Sequence, residues 1–178
     1  MIYERGKSSI SLKIADITTL ECDCIVNAAN KTLLGGGGVD GAIHRAAGPG
    51  LLQECYYLHG CNTGEAKITK GYQLKAKWVI HTVGPIYSGR EEDSFMLQNC
   101  YWNSLNLAKE YSIHSLAFPA ISTGAYGYPL REANYISLSS ILKWLQENQD
   151  YEMHVILVCF NERFYEEYQK SFQKIVLE

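Results

Sequence analysis

Apolar runs of strand length recur along the chain at residues 10–14, 24–27, 78–83, 115–119 and 153–160, with a weaker candidate at 65–69. Several are nearly continuous in apolar character, the pattern of strands buried on both faces of a largely parallel or mixed sheet. Between them the period changes to that of helices. Residues 93–111 place Leu97, Cys100, Tyr101, Ser104, Leu107, Ala108 and Tyr111 on one stripe. Residues 130–147 do the same with Ile136, Ser140, Trp144 and Leu145, and 162–177 with Phe164, Tyr165, Tyr168, Phe172 and Val176. Strands and helices alternate, which predicts an α/β fold, a three-layer α/β/α sandwich around a central mixed sheet. Residues 84–93 read as a polar surface loop. Ligands of such folds sit outside the carboxyl ends of the strands, where the loops beginning at Asn27, Gly84 and Ala120 emerge.

The densest chemistry lies in residues 27–48, NAANKTLLGGGGVDGAIHRAAG. Four consecutive glycines run into Val39, Asp40 and a helix-forming segment, so bare amides can close on an anion at a helix N-terminus. The carboxamides of Asn27 and Asn30 lie just upstream, within reach of whatever this loop holds. Asp40 lies just downstream, where it is expected to cap the helix and is also a candidate base. A second loop, PAISTGAYGYP at 119–129, again follows a buried strand and precedes a helix. Ser122, Thr123, Gly124, Ala125 and Tyr126 offer hydroxyls and amides to a second phosphate or a ribose. Two such loops imply a diphosphate between them. Asp16 follows the first of these strands, placed either to cap a short helix or to accept a hydrogen bond from an exocyclic amino group.

With 178 residues, 47% of them hydrophobic, the chain suits a single domain spanning 1–178. A formal net charge of −3 without a Lys/Arg block argues against a protein that grips nucleic acid through its phosphates. The N-terminal residues lack a signal-peptide pattern and no apolar run has the length to span a bilayer, so a cytoplasmic protein is expected. The six cysteines include no CxxC pair and no clustered Cys/His set, and read as buried thiols rather than disulfides or a metal site. His44 reads as a packing or hydrogen-bonding residue near a helix start, and His81 as a satisfied histidine inside an apolar strand. A dinucleotide-dependent oxidoreductase is a poor fit, because GGGGVDG lacks the GxGxxG register and its following acidic residue.

Taken together, Asp16-Ile17-Thr18, VNAANKTLLGGGGVDGAIHRAAG, GCNTGEAKITKGYQL, VIHTVGP and FPAISTGAYGYP resemble the MacroD-type macrodomains, in family order from about Lys13 to Phe160. The resemblance implies a cleft for ADP-ribose and a hydrolase acting on ADP-ribosyl esters. Such an enzyme removes mono-ADP-ribose from acidic protein side chains and deacetylates O-acetyl-ADP-ribose, with no cofactor and no metal. Its partners are then ADP-ribose, its esters and mono-ADP-ribosylated proteins, with nucleic acid only as an ADP-ribosylated substrate and no membrane. Carried over by position, Asp16 and the backbone of Ile17 meet adenine and Phe160 stacks on it. Gly36, Gly37, Gly38 and Val39 hold one side of the diphosphate and distal ribose, and residues 122–126 hold the other. Asn30 and Asp40 fall at the distal ribose as the catalytic pair, Asn30 orienting ribose hydroxyls with an amide that both donates and accepts. Ala15 stands where the family often has glycine before the Asp-Ile pair. The alternative is a reader module that binds ADP-ribose without turning it over, a role the same fold can host.

Overall fold

A computed structural model describes residues 1–176. Strands β1 (Ile2–Arg5), β2 (Ser8–Ile14), β3 (Cys24–Ala28), β4 (Ala66–Lys70), β5 (Trp78–Thr82), β6 (Ser115–Phe118) and β7 (His154–Cys159) form one sheet. Their order is β1-β2-β7-β6-β3-β5-β4. The five inner strands run parallel, while β1 and β4 pair antiparallel with β2 and β5 at the two edges. Helices α3 (Glu91–Glu110), α4 (Leu130–Glu147) and α5 (Glu162–Val176) cover one face. The other is covered by α1 (Gly38–Ala47), α2 (Pro49–Tyr57) and a 3-10 turn at Ile17–Thr19. This is the three-layer mixed-sheet sandwich that the alternation of periods predicts.

The strands fill both layers by alternation. Cys24 and Val26 of β3 enter the larger core with Trp144, Tyr101 and Phe118, and Ile25 enters the smaller one with Ile43 and Leu51. Asn27 follows Ile25 by two residues and therefore points to the same side, toward α1. That single parity decides where the polar groups of the site can meet.

Some expected details change. On α3 the buried stripe runs through Leu105 rather than Leu107, which is only half-buried, and Tyr111 is exposed at the helix end. Glu91, Glu92 and Asp93 belong to the first turn of α3 instead of a loop, where three carboxylates face the positive end of the helix. Leu177, the expected end of the last helix, lies outside the described residues. Neither β1 nor α2 was expected. Helix α2 starts directly after α1 because Gly48, at φ 82°, turns the chain in a conformation that disfavours a side chain, and Pro49 then occupies the first helical position.

Candidate active site

The carboxyl ends of β2, β3, β6 and β7, with Gly84 after β5, open into one cleft of about 1160 Å³. It is lined by Asp16 and Ile17, by Asn30, by residues 36–40 and 122–126, and by Phe160. The sequence-predicted residues, scattered over 145 positions of chain, thus line one cleft, with the exception of Asn27.

At one end, Asp16 takes the capping role that the sequence offered, at the edge of the cleft. Its Oδ1 accepts from Thr18 N at 3.0 Å and Thr18 Oγ1 at 2.7 Å, capping the 3-10 turn, while the residue also lines the cleft. Phe160 follows the end of the neighbouring strand β7, 85% exposed and held edge-on by Phe164 at a ring separation of 6.5 Å. So large an apolar face left open beside a cleft is suited to a flat ring.

In the middle, α1 begins at Gly38, and no side chain caps it. Gly38, Val39 and Asp40 line the cleft, and their amides take no acceptor among the described residues, as an anion site requires. The loop before it is pinned by close packing: a Cβ at Gly41 would stand 2.5 Å from the Gly36 carbonyl oxygen. In the second loop two of the expected hydroxyls are already spent, while its amides are open. Ser122 Oγ donates to Pro85 O at 2.8 Å and Thr123 Oγ1 to Ala120 O at 3.3 Å. The amides of Thr123, Gly124, Ala125 and Tyr126 take no acceptor among the described residues. Ser122 itself adopts φ 66°, a strained value for a residue with a side chain, and its hydroxyl bond helps hold it there.

Between the two loops stand Asn30 and Asp40, on either side of Gly36. A Cβ at Gly36 would lie 3.3 Å from Asn30 Nδ2 and 3.1 Å from Asp40 Oδ2. Asp40 is the third residue of α1, not its cap, a role Gly37 takes. It is only 4% exposed. Its Oδ1 accepts from Asn27 Nδ2 at 2.8 Å, while Oδ2 has no hydrogen bond among the described residues and faces Gly36. Asn30 is narrower in its chemistry than expected. Its Oδ1 already accepts from Thr32 N at 3.1 Å and Thr32 Oγ1 at 2.6 Å, and one amide hydrogen goes to Gly35 O at 3.0 Å. One donor is left for a ligand, so Asn30 can donate but not accept.

Asn27 is a correction. It is fully buried behind Asp40 and does not line the cleft, so it acts on the carboxylate and not on a ligand. His44, set aside in the sequence, lies against the site one turn along α1, its Nε2 3.4 Å from Asp40 Oδ1 but outside hydrogen-bond geometry. The i, i+4 spacing of the two residues was the available signal. His81 is buried as expected, yet it reaches the site through Asn27 at 3.1 Å. Among the described residues no three His, Cys, Asp or Glu side chains cluster to hold a metal, and all six cysteines are free thiols.

The Macro domain family model matches residues 26–137. A Macro domain-containing protein of Methanosarcina mazei is 56% identical over 162 residues, covering 90% of this chain and 86% of its own. The human ADP-ribose glycohydrolase MACROD2 is 56% identical over 164 residues, 91% of this chain but 39% of that protein. Among solved structures, a mutant Oceanobacillus iheyensis macrodomain with ADPR superposes with a TM-score of 0.95 at 42% identity, over 100% of this chain and 99% of that one.

Proposed function

The chain belongs to the macrodomain family, and from that premise we propose that it is an ADP-ribosyl hydrolase. It releases mono-ADP-ribose from acidic protein side chains and acetate from O-acetyl-ADP-ribose, using side chains and substrate water without a resident metal. The likeness to proteins named as ADP-ribose glycohydrolases and to a macrodomain with ADPR supports the ligand and the reaction class. The observation that carries the catalytic reading is the asymmetry of Asp40: one oxygen is tied down by Asn27 and the other is free beside Gly36.

The adenine lies between Asp16 and Phe160, the diphosphate between the amides of the two loops, and the distal ribose beside Asn30 and Asp40. Asn30 donates its remaining amide hydrogen to a ribose hydroxyl. On a protein ester, a water beside the ribose gives its proton to Asp40 Oδ2 as its oxygen bonds to the anomeric carbon, and the protein carboxylate leaves with the bonding pair. On O-acetyl-ADP-ribose the water oxygen bonds to the acetyl carbonyl carbon instead, and the ribose oxygen leaves with the bonding pair and takes the proton back from Asp40, releasing acetate. Much of the acceleration comes from holding the diphosphate and ribose still, a task served by the tight packing of Gly41 on the Gly36 carbonyl and the Ser122 bond to Pro85 O. Where the substrate's own phosphate assists the water, Asp40 orients it.

Single-turnover release of ADP-ribose from a protein mono-ADP-ribosylated on Glu or Asp, run beside calorimetric titration with ADP-ribose, tests this. Asp40→Ala is expected to slow release about 100-fold, the scale of a lost positioned base, while ADP-ribose still binds. Wild-type binding without release would instead identify a reader module.

A further inference from the structure

Behind Asp40 runs a row of polar groups that the cleft never touches. Asn27 and His81 are fully buried neighbours on β3 and β5, paired directly in the parallel register. Asn27 Nδ2 lies 2.8 Å from Asp40 Oδ1 and 3.1 Å from His81 Nδ1. An amide nitrogen carries two hydrogens and cannot accept. The carboxylate takes the first, so the second points at the imidazole, whose Nδ1 must be the unprotonated nitrogen. The ring proton then resides on Nε2, 2.9 Å from Thr69 Oγ1 on β4 and 3.8 Å from Cys55 Sγ on α2. Burial, reinforced by His44 at a ring separation of 6.5 Å, pushes the imidazole down to about 3, so it stays neutral and Nδ1 stays an acceptor. Turning the amide over would set its oxygen against Asp40 Oδ1. In the orientation adopted, Asn27 Oδ1 is buried with no partner among the described residues, a costly arrangement that the two bonds from its nitrogen compensate.

We propose that His81 is a positioning residue for Asp40, acting through Asn27. Its Nδ1 fixes which way the Asn27 amide faces, the amide fixes Asp40 Oδ1, and Oδ2 is thereby aimed at the cleft. This role rests on reading Asp40 as the catalytic carboxylate.

Two replacements separate positioning from packing. His81→Phe fills the space without an acceptor, whereas His81→Asn can return an oxygen to the place of Nδ1. Single-turnover release is expected to fall about 10- to 100-fold in His81→Phe, the scale of a misaligned reacting group, with ADP-ribose affinity within about threefold of wild type. His81→Asn recovers most of the rate. In an Asn27→Ala background, His81→Phe costs no further rate, because the residue through which it acts is gone. A His81→Phe protein with wild-type turnover, a His81→Asn protein as slow as His81→Phe, or equal losses with and without Asn27 would overturn the proposal. The side-chain amide NMR signals of Asn27 supply a readout independent of turnover. Both hydrogens should be slow to exchange in the wild type and in His81→Asn, and one should lose protection in His81→Phe. Unchanged protection in a folded His81→Phe protein refutes the contact. Failure of the hydrolase reading shows differently, as a wild type that releases nothing while these signals keep their pattern.

Discussion

Burying His81 makes the fold sensitive to mild acid by an amount that can be worked out. Its imidazole titrates near 6.5 in an unfolded chain and is pushed down to about 3 in the native one, first by burial and second by His44. Between those values the unfolded state binds a proton that the folded state refuses. Stability is therefore whole above about pH 6.5 and drains away as the pH falls toward 3. The slope from this one residue approaches about 1.4 kcal/mol per pH unit, and integrating from about pH 7.5 to about pH 5 gives roughly 2 kcal/mol. Full burial means that solvent does not screen it away. Urea unfolding of the wild type and of His81→Asn at the two pH values isolates the effect, because every other titrating group contributes to both proteins. The wild type should lose about 2 kcal/mol more than the variant, or roughly 4–8 °C in melting temperature for a chain of this size. Equal losses, within about half a kcal/mol, would show that His81 is not held neutral and would refute the burial argument.

Gly41→Ala should weaken ADP-ribose binding about 5- to 150-fold, since its methyl group would stand 2.5 Å from the Gly36 carbonyl and overpacking of this kind typically costs about 1–3 kcal/mol. Unchanged affinity by calorimetry would mean that the loop yields without harm. Phe160→Ala should leave the melting temperature alone, the ring being 85% exposed, yet weaken ADP-ribose by the roughly 1–3 kcal/mol of a base-aromatic stack. A fall in melting temperature with unaltered binding would make the ring a packing residue instead. The thiols of Cys55, pushed up to about 12 by burial, and of Cys61, Cys100 and Cys159, pushed up to about 11, should resist an alkylating reagent at about pH 8 until the chain unfolds. Half-buried Cys22 should react first, and rapid labelling of the other cysteines in native protein, read by mass spectrometry, would count against this core.

Strands β3, β5, β6 and β7 were legible because each is nearly continuous in apolar character, the mark of a sheet covered on both sides, and β2 because Ile10 and Leu12 alternate with polar positions. Strand β1 was not, because IYER is short and alternates between exposed and half-buried positions, too weak a period to separate from a tail. Helix α2 begins at Pro49 immediately after a glycine, and its outward Leu52, Tyr56 and Tyr57 blur the apolar face. The cleft residues could be named because glycine runs and strand-end loops are local signals. What could not be read was which way a side chain faces and what it has already spent. Asn27 meets His81 only through the register of two strands 54 residues apart, and no local pattern encodes that. In the same way, the hydroxyl of Ser122 looked available until the turn beside Pro85 claimed it.

The two faces of the sheet divide the labour unequally. Trp144, Tyr101, Phe118 and Phe172 pack with their neighbours under α3, α4 and α5, while the smaller layer under α1 and α2 also accommodates Asp40 and its buried polar partners. An engineer therefore has two nearly separate workbenches. Replacements that tighten the aromatic side can accumulate thermal tolerance without disturbing the carboxylate, because the sheet itself stands between them. The opposite face carries the polar network, and there the freedom to repack is narrow.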